Sequence, residues 1–143
     1  LSRQGVPTLD QTAALAESGI ARGGYVLDSD EDPRVTLIGT GAELSLCVEA
    51  ASILRADGVR VRVVSLPCWE SFEALSADDR EEVLGVGVPR VSIEAGSTFG
   101  WARYANDSVG IDTFGASAPS SDLFAHFKIT AEELVLRARA LIS

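Results

Sequence analysis

A chain of 143 residues, 46% hydrophobic and 23% charged, is long enough to bury one core without metals or disulfides. Its 12 basic residues stand against 21 acidic ones, and the net charge of −9 excludes the clustered cations that nucleic acids and anionic membranes require. No apolar run is long enough to span a bilayer, and Cys47 and Cys68 have neither zinc-site nor disulfide-framework spacing.

Residues 1 to 22, from LSRQGVP to the Ala-rich QTAALAESGIARGG, read as the remnant of a preceding domain and a linker. A domain is expected over 23–143. Gly24 to Leu27 predicts a short strand closed by the acidic turn DSDEDP at 28 to 33. Val35 to Gly39 is a continuous apolar run, as in strands buried on both faces. Leu44, Cys47, Val48, Ala51 and Leu54 then form an apolar stripe of helical period, which Asp57-Gly58 ends. Val59 to Leu66 predicts the next strand, and SLPCWESFEAL and SADDREEVLG two short helical pieces. Val91 to Ile93 is a strand leading into a short helix, and Val109 to Ile111 a last brief strand. SSDLFAHF predicts a short helix and Thr130 to Ile142 a terminal one, whose Thr130-x-x-Glu133 has capping-box spacing. Alternating strands and helices imply an α/β fold, a parallel sheet covered on both faces.

The cysteine usage fits a reducing compartment, the N-terminus carries no signal-peptide pattern, and a cytoplasmic location is expected. With no methionine in the chain, we expect a fragment of a longer protein rather than a processed mature chain.

Four stretches could carry chemistry. Gly39-Thr40-Gly41-Ala42-Glu43-Leu44 follows a strand and opens a helix, the context of a dinucleotide fingerprint, but the third glycine is Leu44 and the next strand ends without an acid. A capping box from Thr40 to Glu43 explains the same residues without a ligand. A nucleophilic site would need His126, the one histidine, with Ser97 or Cys68, and no G-x-S-x-G elbow exists. Cys47 lies on the core face of its helix and reads as a small hydrophobe. The acids of DSDEDP and SADDREE read as solvated charge rather than a metal site. In VSIEAGSTFGWARY, 91 to 104, Glu94 ends a strand where ligands of open α/β sheets bind, and the next helix start could hold an anion. The other reading is structural: Ser97 or Thr98 caps the helix while Phe99, Trp101 and Tyr104 pack. The residues favour it, because a carboxylate beside the loop would repel phosphate.

Taken in register, SRQGVP (2 to 7), ARGGYVL (21 to 27), GTGAELSLCVEAA (39 to 51), VRVVSLPCWESFEA (61 to 74), VPRVSIEAGSTFGWARY (88 to 104), GIDTFGASAP (110 to 119) and HFKITAEEL (126 to 134) resemble the C-terminal third of bacterial transketolases. The resemblance covers essentially the whole chain. It implies a three-layer α/β/α sandwich with a five-stranded mixed sheet, mostly parallel, its first strand antiparallel. It implies a homodimeric enzyme that moves a two-carbon ketol unit between sugar phosphates in the pentose phosphate pathway, using thiamine diphosphate and Mg²⁺ or Ca²⁺. The cofactor and metal ligands of that family lie upstream, so no catalytic, cofactor or metal residue carries over, and none is expected in this fragment. Arg3 matches the arginine that contacts the substrate phosphate, a role suited to a bidentate guanidinium. Ala42, Thr113 and Lys128 depart from the family pattern. Lysine in place of a left-handed glycine at 128 would cost on the order of 1 kcal/mol. On this resemblance EAGSTFGW shapes the sheet end or a domain contact, and Glu94 is not a catalytic acid. The remaining alternatives are a regulatory anion- or nucleotide-binding module near Gly41 and Ser97, a dimer-stabilising interaction domain, and the equivalent domain of a related thiamine enzyme such as dihydroxyacetone synthase.

Overall fold

Val35–Gly39, every residue of it buried, is the central strand of the sheet. A strand covered on both faces must be apolar on both, and this one is, save for Thr36, whose hydroxyl donates to the Leu84 carbonyl at 2.9 Å. The computed structural model describes residues 15, 18–113, 123 and 126–143. In chain order they form β1 (Tyr25–Ser29), β2 (Val35–Gly39), a 3₁₀ turn (Gly41–Glu43), α1 (Leu44–Ala56), β3 (Val61–Ser65), α2 (Trp69–Glu73), α3 (Ala77–Leu84), β4 (Arg90–Ile93), a second 3₁₀ turn (Trp101–Arg103), β5 (Asp107–Val109) and α4 (Ala131–Ile142).

The strands lie in the order β1-β3-β2-β4-β5. β1 runs antiparallel to β3, whereas β3, β2, β4 and β5 are mutually parallel. This is the five-stranded mixed sheet that the resemblance implies. Side chains divide by strand alternation into two cores. Val35, Leu37, Val61, Val63, Val91, Ile93 and Val109 face α1 and α4 through Cys47, Ala51, Leu54, Leu134 and Ala138. Ile38 and Val64 face the opposite layer, built from Phe72, Val83, Leu84, Trp101 and Tyr104. Full burial of one such side chain stabilises by ~1.5–3 kcal/mol.

Several element edges differ from expectation. β1 runs on to Ser29, because Asp28 and Ser29 pair with Val63 and Arg62 after a register shift. The run DSDEDP is therefore not simply solvated charge. Arg55 holds Asp30 through Nε at 2.9 Å and Asp28 through Nη1 at 2.7 Å, and the Val61 N–H donates to Asp30 at 2.7 Å. The Arg55 hydrogen bond, followed by the Val61 N–H, holds the Asp30 carboxyl below the usual carboxylate range. SADDREE is likewise engaged, with Glu81 on Arg90 and Asp79 within 3.4 Å of Arg22. β3 is trimmed to 61–65, and β5 begins two residues early, at polar Asp107. There Arg137 of α4 donates to Asp107 at 3.0 Å, and the Ser92 hydroxyl donates to Ser108 at 2.7 Å.

The helix stripe is observed as α1, with Leu44, Cys47, Ala51 and Leu54 buried as expected, Val48 only half-buried and Ala50 buried in addition, and the Gly58 N–H closes it on Arg55. At α4 the Thr130 hydroxyl accepts from the Glu133 N–H at 3.3 Å, the first half of the expected box, while the Glu133 carboxylate pairs with Arg137. Lys128 sits at φ 56°, the left-handed conformation expected there. Arg3, most of the 1–22 segment and most of SSDLFAHF lie outside the described residues. Among the described residues no helix is long and apolar enough to cross a membrane.

Candidate functional site

In an open parallel sheet, ligands bind at the carboxyl ends of the strands where the chain switches direction of winding. Here that point lies between β2 and β4, since β2 is followed by β3 on one side and β4 occupies the other. The turns leaving these strands are the two glycine-rich stretches singled out above.

The first turn, Gly39 to Leu44, is a packing device. A Cβ on Gly39 would lie 2.8 Å from Cys47 Sγ and 3.1 Å from Leu44 Cα, so glycine here lets α1 close on the sheet. The expected capping box is not formed: Thr40 makes no side-chain cap, and its carbonyl accepts from the Glu43 N–H at 3.2 Å. The Thr40–Glu43 segment winds as a 3₁₀ turn, which draws Glu43 inward rather than back over the turn. Glu43 is only 9% exposed. Burial first, and the neighbouring Glu94 carboxylate second, push its carboxyl up, against the N–H groups of Glu43 and Ala95. Burial also pushes the Cys47 thiol up, consistent with an unreactive small hydrophobe.

The second turn, Glu94 to Tyr104, is held by its own acids. Trp101 Nε1 donates to Glu94 Oε2 at 2.8 Å, so this carboxylate anchors a buried indole. Asp112 receives the Thr98 N–H at 2.8 Å, the Thr98 hydroxyl at 2.7 Å and the Ser97 hydroxyl at 3.2 Å. The Thr98 hydroxyl, then the Thr98 N–H, hold the Asp112 carboxyl below the usual carboxylate range. The donors that a phosphate would need are thus committed to a carboxylate of the same chain. Ser97 also accepts from the Phe99 N–H at 3.1 Å.

Trp101 and Tyr104 pack as expected, both nearly inaccessible, but Phe99 does not: it is 91% exposed. Gly100 adopts φ 96° and turns the chain so that Phe99 points away while Trp101 enters the core. A side chain at Gly100 would also meet Trp69 at 2.9 Å. Trp69 stacks edge-on against Trp101, ring centroids 5.0 Å apart. Tyr104 donates to Glu73 at 2.7 Å; burial and then Glu73 push its hydroxyl up to about 12.

The other candidates are dispersed. His126 is exposed and packs on Phe127, with no hydrogen bond to Ser97 or Cys68 among the described residues. Cys68 Sγ lies 3.5 Å from Glu70 and 3.4 Å from Ser71. Among the described residues no three His, Cys, Asp or Glu side chains converge to hold an ion. The cleft beside β5, about 430 Å³, is lined by Asp107, Asp112 and Glu133 as well as Lys128 and Arg137, so it presents no net positive surface. Neither a diphosphate nor its metal fits this set of donors. Asp112 and Glu43, the two acids on which the loops depend, have distant or backbone partners that short-range spacing does not reveal.

Comparison with known proteins identifies the context. Residues 23–130 match the transketolase-like C-terminal domain. The chain is 48% identical to the chloroplastic transketolase of Solanum tuberosum, over 97% of this chain and 19% of that protein. It is 42% identical to the transketolase of Geobacillus stearothermophilus, over 99% of this chain and 22% of that protein. The transketolase of Pichia stipitis, solved in complex with sedoheptulose 7-phosphate, superposes with a TM-score of 0.89 at 34% identity, over 98% of this chain and 20% of that one. The chain thus spans about a fifth of the length of the relatives it matches, less than the third implied by the sequence resemblance.

Proposed function

Because this chain belongs to the family of transketolase-like C-terminal domains, we propose that it is the C-terminal domain of a transketolase, which moves a two-carbon ketol unit from a ketose phosphate to an aldose phosphate. The observation that carries this reading is a match over nearly all of the chain to only a fifth of its relatives. The domain's own residues support a structural role, since its loop donors are satisfied internally. Thiamine diphosphate and Mg²⁺ or Ca²⁺ would supply the carbon chemistry from elsewhere in the enzyme, because the donor set here does not fit them.

Arg3 is the one residue we assign to substrate, as a bidentate ligand of the sugar phosphate. The match beginning at residue 23 supports a boundary there, with residues 1 to 22 belonging to the preceding domain and linker. A homodimer in the cytoplasm completes the reading; of its parts, only the reducing environment has support here, from the free Cys47 and Cys68.

The test is ketol transfer by the purified 143-residue chain beside the full-length gene product, each with thiamine diphosphate, Mg²⁺ and a ketose/aldose phosphate pair. We expect turnover by the full-length protein alone. Turnover by the short chain, or none by the full-length protein, would sink the proposal. In the full-length protein Arg3→Gln should raise KM for phosphorylated sugars while leaving unphosphorylated ones little changed. An equal effect on both would remove Arg3 from the phosphate site.

A further inference from the structure

One cleft on this acidic chain has a basic wall. It lies at the amino ends of β4 and β5, away from the two glycine-rich turns, and measures about 460 Å³. Arg90, the first residue of β4, Arg103 of the second 3₁₀ turn and Asn106, just before β5, line it with Pro89, Ala105 and Leu141. No acid lines it, in contrast to the cleft beside β5 with its Asp107, Asp112 and Glu133.

The donors on this wall are left over from the contacts around it. Glu73, the acid paired with Arg103, is already occupied: its Oε1 accepts the Tyr104 hydroxyl at 2.7 Å and its Oε2 accepts Arg80 Nη1 at 2.8 Å. Arg103 Nη1 stays at 3.7 Å, beyond hydrogen-bond reach, and its side chain is 67% exposed. Asn106 Oδ1 accepts the Arg90 N–H at 2.9 Å, which fixes the amide so that Nδ2 is the free end, with no acceptor among the described residues. Arg90 gives Nη2 to Glu81 and to the Gly85 carbonyl, but its buried Nε has no partner among the described residues. A buried cationic N–H without an acceptor is destabilising, and a nearby anion offsets that cost. With the adjoining hollow included, Arg80, Arg90 and Arg103 stand against Glu73 and Glu81, which leaves a positive excess in a chain of net charge −9.

We propose that this cleft binds the phosphate group of a small molecule, with Arg103 as the charged fork and Asn106 Nδ2 as the neutral donor. A guanidinium fork takes two oxygens of its ligand. A carboxylate then has none left for Asn106, whereas a phosphate has a third. Arg90 adds charge to the wall without spending a donor that its own contacts need. The cleft is larger than a bare phosphate requires, and Pro89, Ala105 and Leu141 offer an apolar floor to the rest of an ester. The site stands whether or not the longer protein is a transketolase.

Phenylglyoxal, which modifies accessible guanidinium groups, reads Arg103 by peptide mass spectrometry in the full-length protein and in the 143-residue chain alike. At constant ionic strength, inorganic phosphate should slow Arg103 labelling saturably, roughly tenfold at about ten times the half-protecting concentration, because only unoccupied sites react. Arg139, whose side chain is 53% exposed on α4, should be labelled at an unchanged rate. Asn106→Asp keeps the acceptor for the Arg90 N–H and replaces the donor with a negative charge. In that variant Arg103 should be labelled at the parent rate without phosphate and lose its protection with it. Glycerol 3-phosphate as a second probe identifies the source: half-protection at a lower concentration than inorganic phosphate supports an ester, and at the same concentration supports the free ion. Acetate protecting as well as phosphate would overturn the phosphate assignment. Absence of protection by either phosphate probe, protection that survives Asn106→Asp, or an Arg103 already unreactive in the phosphate-free full-length protein would overturn the site itself.

Discussion

The turn after β2 and the turn after β4 leave neighbouring parallel strands, and each combines glycines, a hydroxyl and a glutamate. They use those residues in opposite ways. After β2 the glycine at the strand end admits a helix, and Glu43 is drawn into the interior, where among the described residues the backbone N–H groups of Glu43 and Ala95 meet it. After β4 Glu94 meets the Trp101 indole, and a second acid, Asp112, comes from beyond the next strand to satisfy the loop. One turn stores an electrostatic penalty; the other is stabilised by its acids. Glycine-rich turns at strand ends therefore need not mark ligands, since the same composition serves close packing in one place and a braced loop in the other.

The largest test of this contrast is removal of the indole that the second turn is built around. Trp101→Ala should destabilise the domain by ~3–5 kcal/mol, because a fully buried aromatic leaves a cavity and Glu94 loses its donor. Chemical denaturation would show it as a lower midpoint at similar slope. A cost below ~1 kcal/mol would mean that the loop repacks freely and that Trp101 is no anchor.

The first turn should be sensitive to addition rather than removal. Gly39→Ala places a methyl 2.8 Å from Cys47 Sγ and should cost ~1–3 kcal/mol by overpacking. Adding Cys47→Ala should recover part of that loss, because the sulfur can be deleted while the Leu44 backbone at 3.1 Å cannot move away. Strict additivity of the two substitutions in a double-mutant cycle would show that the methyl never meets the sulfur.

Much of this architecture can be read locally, and the exceptions have a common cause. The α1 stripe, its stop at Asp57-Gly58, the Thr130 cap and the left-handed Lys128 depend on neighbours within a turn or two. What could not be read are contacts between residues far apart in the chain. β1 extends through Asp28 because Arg55, 27 residues later, neutralises it. β5 begins at Asp107 because Arg137, 30 residues on, does the same. Asp112 braces Thr98 from 14 residues away, and only that brace distinguishes a self-satisfied loop from an anion cradle. Phe99 reads as core from its company, but the positive φ of Gly100 turns it outward, and no apolar pattern encodes that.

The smallest effects should separate the two turns by sign. The Glu43 carboxyl is raised from an ordinary 4.5 by burial and then by Glu94, so the folded state binds its proton more tightly than the unfolded state does. Stability from this group is fully present below the unfolded value and is lost as pH rises through the folded one. Glu43→Gln should abolish that loss, making the variant relatively more stable near neutrality than in acid. The Asp112 carboxyl is depressed from 3.8 by the Thr98 hydroxyl and N–H, so its contribution is present above that value and lost as pH falls through the lower folded one. Asp112→Asn should therefore lose stability near neutrality and converge on the parent in strong acid. Subtracting the parent's pH–stability curve from each variant's cancels the carboxylates that touch neither acid, Asp30 and Glu73 among them, and leaves Glu43 together with the Glu94 it is coupled to. Difference curves of the same slope for the two variants would show that both acids sit in equivalent environments, and the contrast between the turns would fail.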